Sequence, residues 1–72
     1  MRWEVDGGCY TCVLHSGLVA HAARTESGWE VLVPGAGIHE VLSNAELRTW
    51  LSARTVVERL IRARLQGADP FG

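Results

Sequence analysis

The fold is decided by the segment Ser27-Gly28-Trp29-Glu30-Val31-Leu32-Val33-Pro34-Gly35, residues 27–35. Its centre is an apolar run of β-prone residues, and a Ser-Gly pair precedes that run. Glycine suits the left-handed dihedral angles of tight hairpin turns, so the pattern indicates a strand that begins at a turn. Pro34 ends the strand because proline cannot donate a hydrogen bond to a neighbouring strand. The segment therefore predicts a β-strand between two turns.

Similar runs, separated by glycine, precede this segment. Trp3 and Val5 alternate with polar neighbours, which is the period of a half-buried strand. Gly-Gly at 7–8 and Ser-Gly at 16–17 bound two further apolar runs. We therefore predict an antiparallel meander of three or four strands over residues 2–34. Residues 35–42 form a predicted linker, in which residues 38–42 add a short extended segment.

The region 43–66 is predicted to be helical. Ser43 and Glu46 have the spacing of a capping box, and Leu42 and Leu47 fit the hydrophobic staple that accompanies such a cap. Gly67 is the expected C-terminal cap, because glycine tolerates the left-handed conformation found there. Residues 67–72 then form a tail.

Two apolar stripes on this helical region are out of phase at ~100° per residue. The first contains Leu47, Trp50 and Leu51, and the second contains Val56, Val57, Leu60 and Ile61. The mismatch predicts a break near residues 52–55, giving one kinked helix or two short helices. The alternative is one straight helix in which Arg54 and Glu58 pair four residues apart. The predicted fold class is α+β, with the helical segment packed on one face of the meander.

Length and charge exclude several classes of protein. The chain has 72 residues, is 47% apolar and has a net charge of −1, which excludes a disordered chain. No apolar run is long enough for a membrane span, and acids occupy the start where a signal peptide needs an apolar core. We therefore expect a single cytoplasmic domain over residues 1–72. Such a small core favours oligomerisation, including a homodimer, or a bound partner.

The near-neutral total hides an uneven distribution of charge. Residues 1–46 carry two arginines and six carboxylates, whereas residues 47–72 carry five arginines and two carboxylates. The balance argues against a dedicated nucleic-acid binder, which is usually strongly basic. The uneven distribution of charge favours a protein surface with an acidic side and a basic side.

Cys9 and Cys12 form a C-x-x-C pair, with His15 three residues further on. A redox pair would need a helix N-terminus in a βαβ unit, and this pair lies in a strand-like run. A zinc site would need four convergent ligands, but positions 9 and 12 of a strand face opposite sides. We expect reduced cysteines, with Cys12 in the core and Cys9 near a turn, and neither a metal nor a cofactor. The three residues remain the candidates for a zinc-stabilised module.

Motifs for catalysis are not found in the sequence. The serines lie at predicted turns or caps, and Gly35-Ala36-Gly37 does not follow a parallel strand as a phosphate loop would. A small meander also offers little cleft in which to shift a carboxylate pKa. We therefore expect the protein not to be an enzyme.

Two candidate interaction surfaces remain. Arg48, Arg59 and Arg62 fall within about 60° of one another on a straight-helix projection and would suit phosphates or an acidic protein. The second surface is the sheet face that the helical segment leaves open, where acids would meet a basic partner and a tryptophan would anchor it. Its candidate residues are Glu4, Asp6, Glu26, Glu30 and Trp29.

The run from Gly28 to Gly35, followed by a capped helix, resembles the core of HicB-type antitoxins. The overall form also resembles small phage-encoded inhibitors of bacterial defence, including anti-CRISPR proteins. These resemblances imply a non-catalytic module that binds a larger bacterial protein or nucleoprotein complex. The alternative is a small nucleic-acid-binding or antitoxin-like protein that uses the arginines.

Overall fold

Five strands and one helix make up the fold in a computed structural model, which describes residues 1–43 and 47–67. The strands are β1 (Glu4–Asp6), β2 (Cys9–Val13), β3 (Val19–Arg24), β4 (Trp29–Val33) and β5 (Ile38–Leu42), and the helix is α1 (Trp50–Leu65). All neighbouring strands are antiparallel and follow one another in chain order. The α+β class and the meander are confirmed, although the sheet has five strands instead of three or four.

The β1–β2 connection shows why glycine pairs mark the turns. Asp6 pairs with Cys9, so only Gly7 and Gly8 connect the two strands. Their φ angles are +56° and +82°. A two-residue hairpin turn of type I′ requires positive φ at both positions, which glycine adopts without steric cost.

The extended segment predicted at residues 38–42 is confirmed and forms a fifth strand, so these residues belong to the sheet and not to a linker. Pro34–Ala36 forms one turn of 3-10 helix, and Gly37 then adopts a φ of +68° while its N–H donates to the Pro34 carbonyl at 3.2 Å. This compact turn reverses the chain, so that Ile38 pairs with Val33 and the next residues continue the ladder. The Pro-Gly-Ala-Gly segment therefore connects two strands and does not end the sheet.

The helix begins later than the predicted residue 43. Leu47 and Arg48 are not helical, and the first helical residue is Trp50. Thr49 is the N-cap: its side chain accepts from the Ser52 amide at 3.2 Å, and the Ser52 hydroxyl accepts from the Thr49 amide. Three residues of the predicted capping box, at 44–46, lie outside the described residues. The prediction of a C-terminal glycine is confirmed, because Gly67 follows the Gln66 cap with a φ of +61°.

The predicted break at residues 52–55 is wrong, and α1 runs without interruption from Trp50 to Leu65. The phase mismatch came from placing Leu47 on the helix, whereas it is buried in the segment before the helix. Leu51, which shared the predicted first stripe, is 84% exposed. Arg54 and Glu58 form the i,i+4 pair of the straight-helix alternative, with an N–O distance of 3.1 Å.

The core lies between α1 and one face of the sheet, here called the inner sheet face. The helix contributes Ala53, Val57 and Ile61, which follow one another at the four-residue spacing of one helix face. The sheet contributes Cys12, Ala20, Ala22, Trp29, Val31, Val33 and Ile38. Every second residue of β4 is buried, as expected for a strand covered on one side.

An aromatic cluster packs at the start of the helix. The Trp50 ring stacks on Tyr10 with centroids 4.1 Å apart and also lies near Trp3 and Trp29, at 5.0 and 5.3 Å. Such ring pairs add about 0.5–1.5 kcal/mol each to the free energy of burial. Val5 corrects a prediction: it pairs with Tyr10, but the edge strand extends past the cover of the helix and leaves it exposed.

One hydrogen bond and one ion pair connect the helix to the N-terminal segment and to β5. The Trp3 indole N–H donates to Glu58 at 2.8 Å, and Arg64 bonds Glu40 of β5 at 3.0 Å. Although burial alone would raise the pKa of Glu58, the hydrogen bonds from Trp3 and Arg54 hold that pKa below its usual value. No helix in the described part of the chain is long and apolar enough to cross a membrane.

Candidate functional site

The strand register defines a second sheet face, opposite the helix, which we call the outer sheet face. Residues directly opposite each other in an antiparallel pair point to the same side. One row runs across the five strands through Glu4, Thr11, His21, Leu32 and His39. A second row contains Asp6, Cys9, Ala23, Glu30 and Val41, and a shorter one contains Val13 and Val19. None of the elements described within residues 1–43 and 47–67 covers these rows.

The outer sheet face carries more apolar side chains than is usual for a sheet face that contacts solvent. An antiparallel sheet with one solvated face usually carries polar residues on that face. Here β2 to β5 place six apolar side chains on it, namely Cys9, Val13, Val19, Ala23, Leu32 and Val41. Val13 is 72% exposed and Val41 is 56% exposed. Exposed aliphatic side chains on a flat sheet form a surface that gains free energy when a partner covers it.

The described rows of the outer sheet face carry three carboxylates. The His39 Nε2 lies 2.8 Å from the Glu30 Oε2, within hydrogen-bond distance. Glu4 and Asp6 lie at the β1 edge, and both are exposed. No arginine occupies a position in the rows that the structure describes. The face therefore carries acids along the β1 edge, while its exposed valines lie in β2, β3 and β5, with Thr11, His21 and Leu32 between them.

The structure brings together three of the four predicted acidic residues. Glu4, Asp6 and Glu30 lie on the outer sheet face, in β1 and β4. Glu26 lies in the β3–β4 turn, where the Thr25 amide donates to the Gly28 carbonyl at 2.9 Å. Three of the four acids therefore lie on the open sheet face, and the fourth lies beyond the end of the strands; their role in binding stays a prediction.

Trp29 is not an interface anchor, which corrects the prediction for this residue. It is only 3% exposed and lies on the inner sheet face with Val31 and Val33. Its indole N–H donates to the Leu47 carbonyl at 2.7 Å, which satisfies the polar atom of a buried ring. The same alternation that exposes Glu30 directs its neighbour Trp29 inward.

The predicted face of three arginines does not form as expected. Arg59 and Arg62 are exposed on α1, three residues apart. Arg48 precedes the helix, so it does not continue their row, and its carbonyl accepts a hydrogen bond from the Arg24 guanidinium. Arg62 lies 4.0 Å from Glu58. Two arginines therefore remain of the proposed phosphate-binding face.

Cys9 and Cys12 are both free thiols, as predicted, and they lie on opposite faces of β2. Cys12 is buried in the core, and Cys9 begins the strand directly after the glycine turn. His15 lies in the β2–β3 connection and is exposed. Among the residues that the structure describes, no group of three or more histidine, cysteine or carboxylate side chains could hold a metal ion.

Glu40 and Glu58 connect the helix to distant parts of the chain, and neither contact was expected from the sequence. Glu40 lies on the inner side of β5, which the predicted linker concealed, and Glu58 forms bonds to a residue 55 positions away. The sequence predicted only the i,i+4 pair of Arg54 with Glu58. Both glutamates hold the helix against the strands or the N-terminal segment.

Comparison with known proteins gives no family: no protein-family model, curated protein or solved structure matches the chain.

Proposed function

We propose that this protein is a non-catalytic interaction module that binds a larger protein through its outer sheet face. The observation that carries the proposal is the set of aliphatic side chains on this face, above all Val13 and Val41, which water solvates at a cost in free energy. By the spacing of strands and residues, five strands of about five residues span roughly 24 by 17 Å. A face of about 400 Å² is roughly half of the ~800 Å² that each partner buries in a standard interface, so it suits a weak or transient complex.

The charges on the face support a partner of complementary chemistry. Glu4 and Asp6 form an acidic edge at β1, so a protein surface that offers both apolar and basic side chains fits the face best. A nucleic acid fits the face poorly, because phosphates would meet carboxylates there. Arg59 and Arg62 on α1 are the residues that a nucleic acid would need. The finer hypothesis, a phage inhibitor of a bacterial defence protein, stays a prediction.

Capture from a bacterial lysate, with matched variants, tests the proposal. The double variant Val13→Lys and Val41→Lys places cations on the outer sheet face, and Leu51→Lys places one at a more exposed apolar position on the helix. We expect the wild type and the Leu51→Lys variant to retain the same protein, and the double variant to lose it. Thermal melts establish that all three proteins fold.

Retention of the same protein by the double variant would exclude the outer sheet face as the binding surface. Duplex DNA binding that falls steeply with salt, and that Arg59→Gln with Arg62→Gln abolishes, would favour the nucleic-acid alternative. Sedimentation over a tenfold range of concentration separates a homodimer from binding to another protein.

A further inference from the structure

A cleft lies at the C-terminal end of α1, between the helix, the N-terminal residues and the β2–β3 connection. Its volume is about 710 Å³. Sites for small organic ligands usually enclose ~300–1,000 Å³. The cleft is separate from the outer sheet face except for Val13, which borders both. It is therefore large enough to hold a small molecule, independently of the proposed protein partner.

The side chains around the cleft give it a positive charge. Arg2, His15 and Arg62 line it, and the described lining residues include no carboxylate. The side chains of Arg2 and His15 form no ion pair with any residue in the described ranges, and the contact of Arg62 with Glu58 is long, at 4.0 Å. The C-terminus of a helix carries about half a negative charge, which two full guanidinium charges outweigh. The cleft thus favours an anion.

The remaining lining is mostly apolar. Cys12 is buried at the base of the cleft. The other apolar lining residues are Met1, Val13, Leu14, Leu18 and Leu65. Such a surface releases water when a hydrocarbon or aromatic group covers it. Guanidinium groups at the rim bind a carboxylate through paired N–H donors, while the base accepts the apolar part of the same molecule.

We propose that this cleft is a binding site for a small organic anion, with a carboxylate held by Arg2 and Arg62 and an aliphatic body packed against the apolar base. The two halves of the site lie in different parts of the chain, since Arg2 precedes β1 and Arg62 lies in the last turn of α1. The site therefore exists only in the folded protein.

Titration of the full chain with octanoate, followed by amide NMR shifts, tests the site. Octyltrimethylammonium is the matched probe, because it has the same chain with the opposite charge. We expect saturable shifts at Leu14, Ser16 and Leu65 with octanoate and none there with the cation. The variants Arg2→Gln and Arg62→Gln should each weaken octanoate binding about tenfold, as expected for loss of one charged hydrogen-bond donor.

Arg59→Gln is the control, because Arg59 is an exposed arginine of the same helix that does not line the cleft. It should leave the affinity for octanoate unchanged. Equal binding of the cationic probe would overturn the proposal, and so would an affinity that the Arg2 and Arg62 variants do not change. Shifts confined to the outer sheet face would also overturn it, while leaving the proposed protein interaction intact.

Discussion

Ile61 and Leu51 have side chains of equal size on the same helix, yet only Ile61 is buried. Ile61 is 0% exposed and Leu51 is 84% exposed. Substitution by alanine removes three carbon atoms from either residue. At ~0.8 kcal/mol for each buried CH₂ group, transfer alone costs about 2.4 kcal/mol at Ile61. The cavity that remains raises the cost, so Ile61→Ala should lower the free energy of unfolding by about 3 kcal/mol. Leu51→Ala should change it by less than about 0.5 kcal/mol.

Urea unfolding followed by tryptophan fluorescence measures both values, because Trp29 and Trp50 report on the core. A domain of 72 residues has a total stability of roughly 4–11 kcal/mol, so a loss of 3 kcal/mol is a large fraction of it. The slope of free energy against urea should stay the same in both variants. Equal losses for the two variants would refute the packing of α1 through Ile61. A larger loss of unfolding free energy for Leu51→Ala would mean that Leu51 is buried, as the predicted first apolar stripe requires.

Two further predictions concern Glu58 in the middle of α1 and the N-cap residue Thr49. Glu58 has a lowered pKa in the folded state, so it stabilises the fold above its unfolded pKa, and that contribution is lost as the pH falls through the folded pKa. Thermal melts between about pH 5 and pH 3 should therefore show a steeper loss of stability in the wild type than in Glu58→Gln, and parallel curves would contradict the assignment. Thr49→Ala removes the N-cap oxygen and should cost about 1 kcal/mol in urea unfolding, whereas Thr49→Ser should be close to neutral. A neutral alanine variant would mean that the helix begins elsewhere.

The strands were predictable from the sequence because their signals are local. Alternation in β4 and the glycine pairs at the turns lie within a few residues of the structure they specify. The extended segment predicted at residues 38–42 is β5, but its place in the sheet was not predicted, because a Pro-Gly segment ends strands in most contexts and here the following glycine reverses the chain instead. Only the pairing with β4 distinguishes these two outcomes, and pairing is a tertiary property.

The helix start was missed for a chemical reason. Capping-box patterns are recognised by an acidic or amide residue three positions after the cap, which directed attention to Ser43. At Thr49 the hydroxyl of Ser52 takes that role, and this pairing is not a usual sequence signature. The later start of the helix also explains why the predicted face of three arginines does not form, since Arg48 would belong to it only if the helix began before Arg48.

The candidate site was predicted in part. An open sheet face with acids follows from alternation and from one covering helix, and Glu4, Asp6 and Glu30 lie there. The aliphatic character of that face was not foreseen, because the side on which each residue of β2 and β3 points depends on register. The cleft could not be foreseen, because it brings together Arg2 and Arg62 from opposite ends of the chain.

The order of the strands has a consequence for how the chain acquires its structure. Every strand pairs with its neighbour in the chain, so the sheet forms by successive short loop closures, which favours rapid folding. The residues that cover the inner sheet face come last, in α1, after all five strands. During synthesis, the sheet therefore passes through a stage in which both of its apolar faces are exposed. Until Val57 and Ile61 have left the ribosome, α1 does not cover the inner sheet face, and we expect aggregation through that face to be most favourable at this stage.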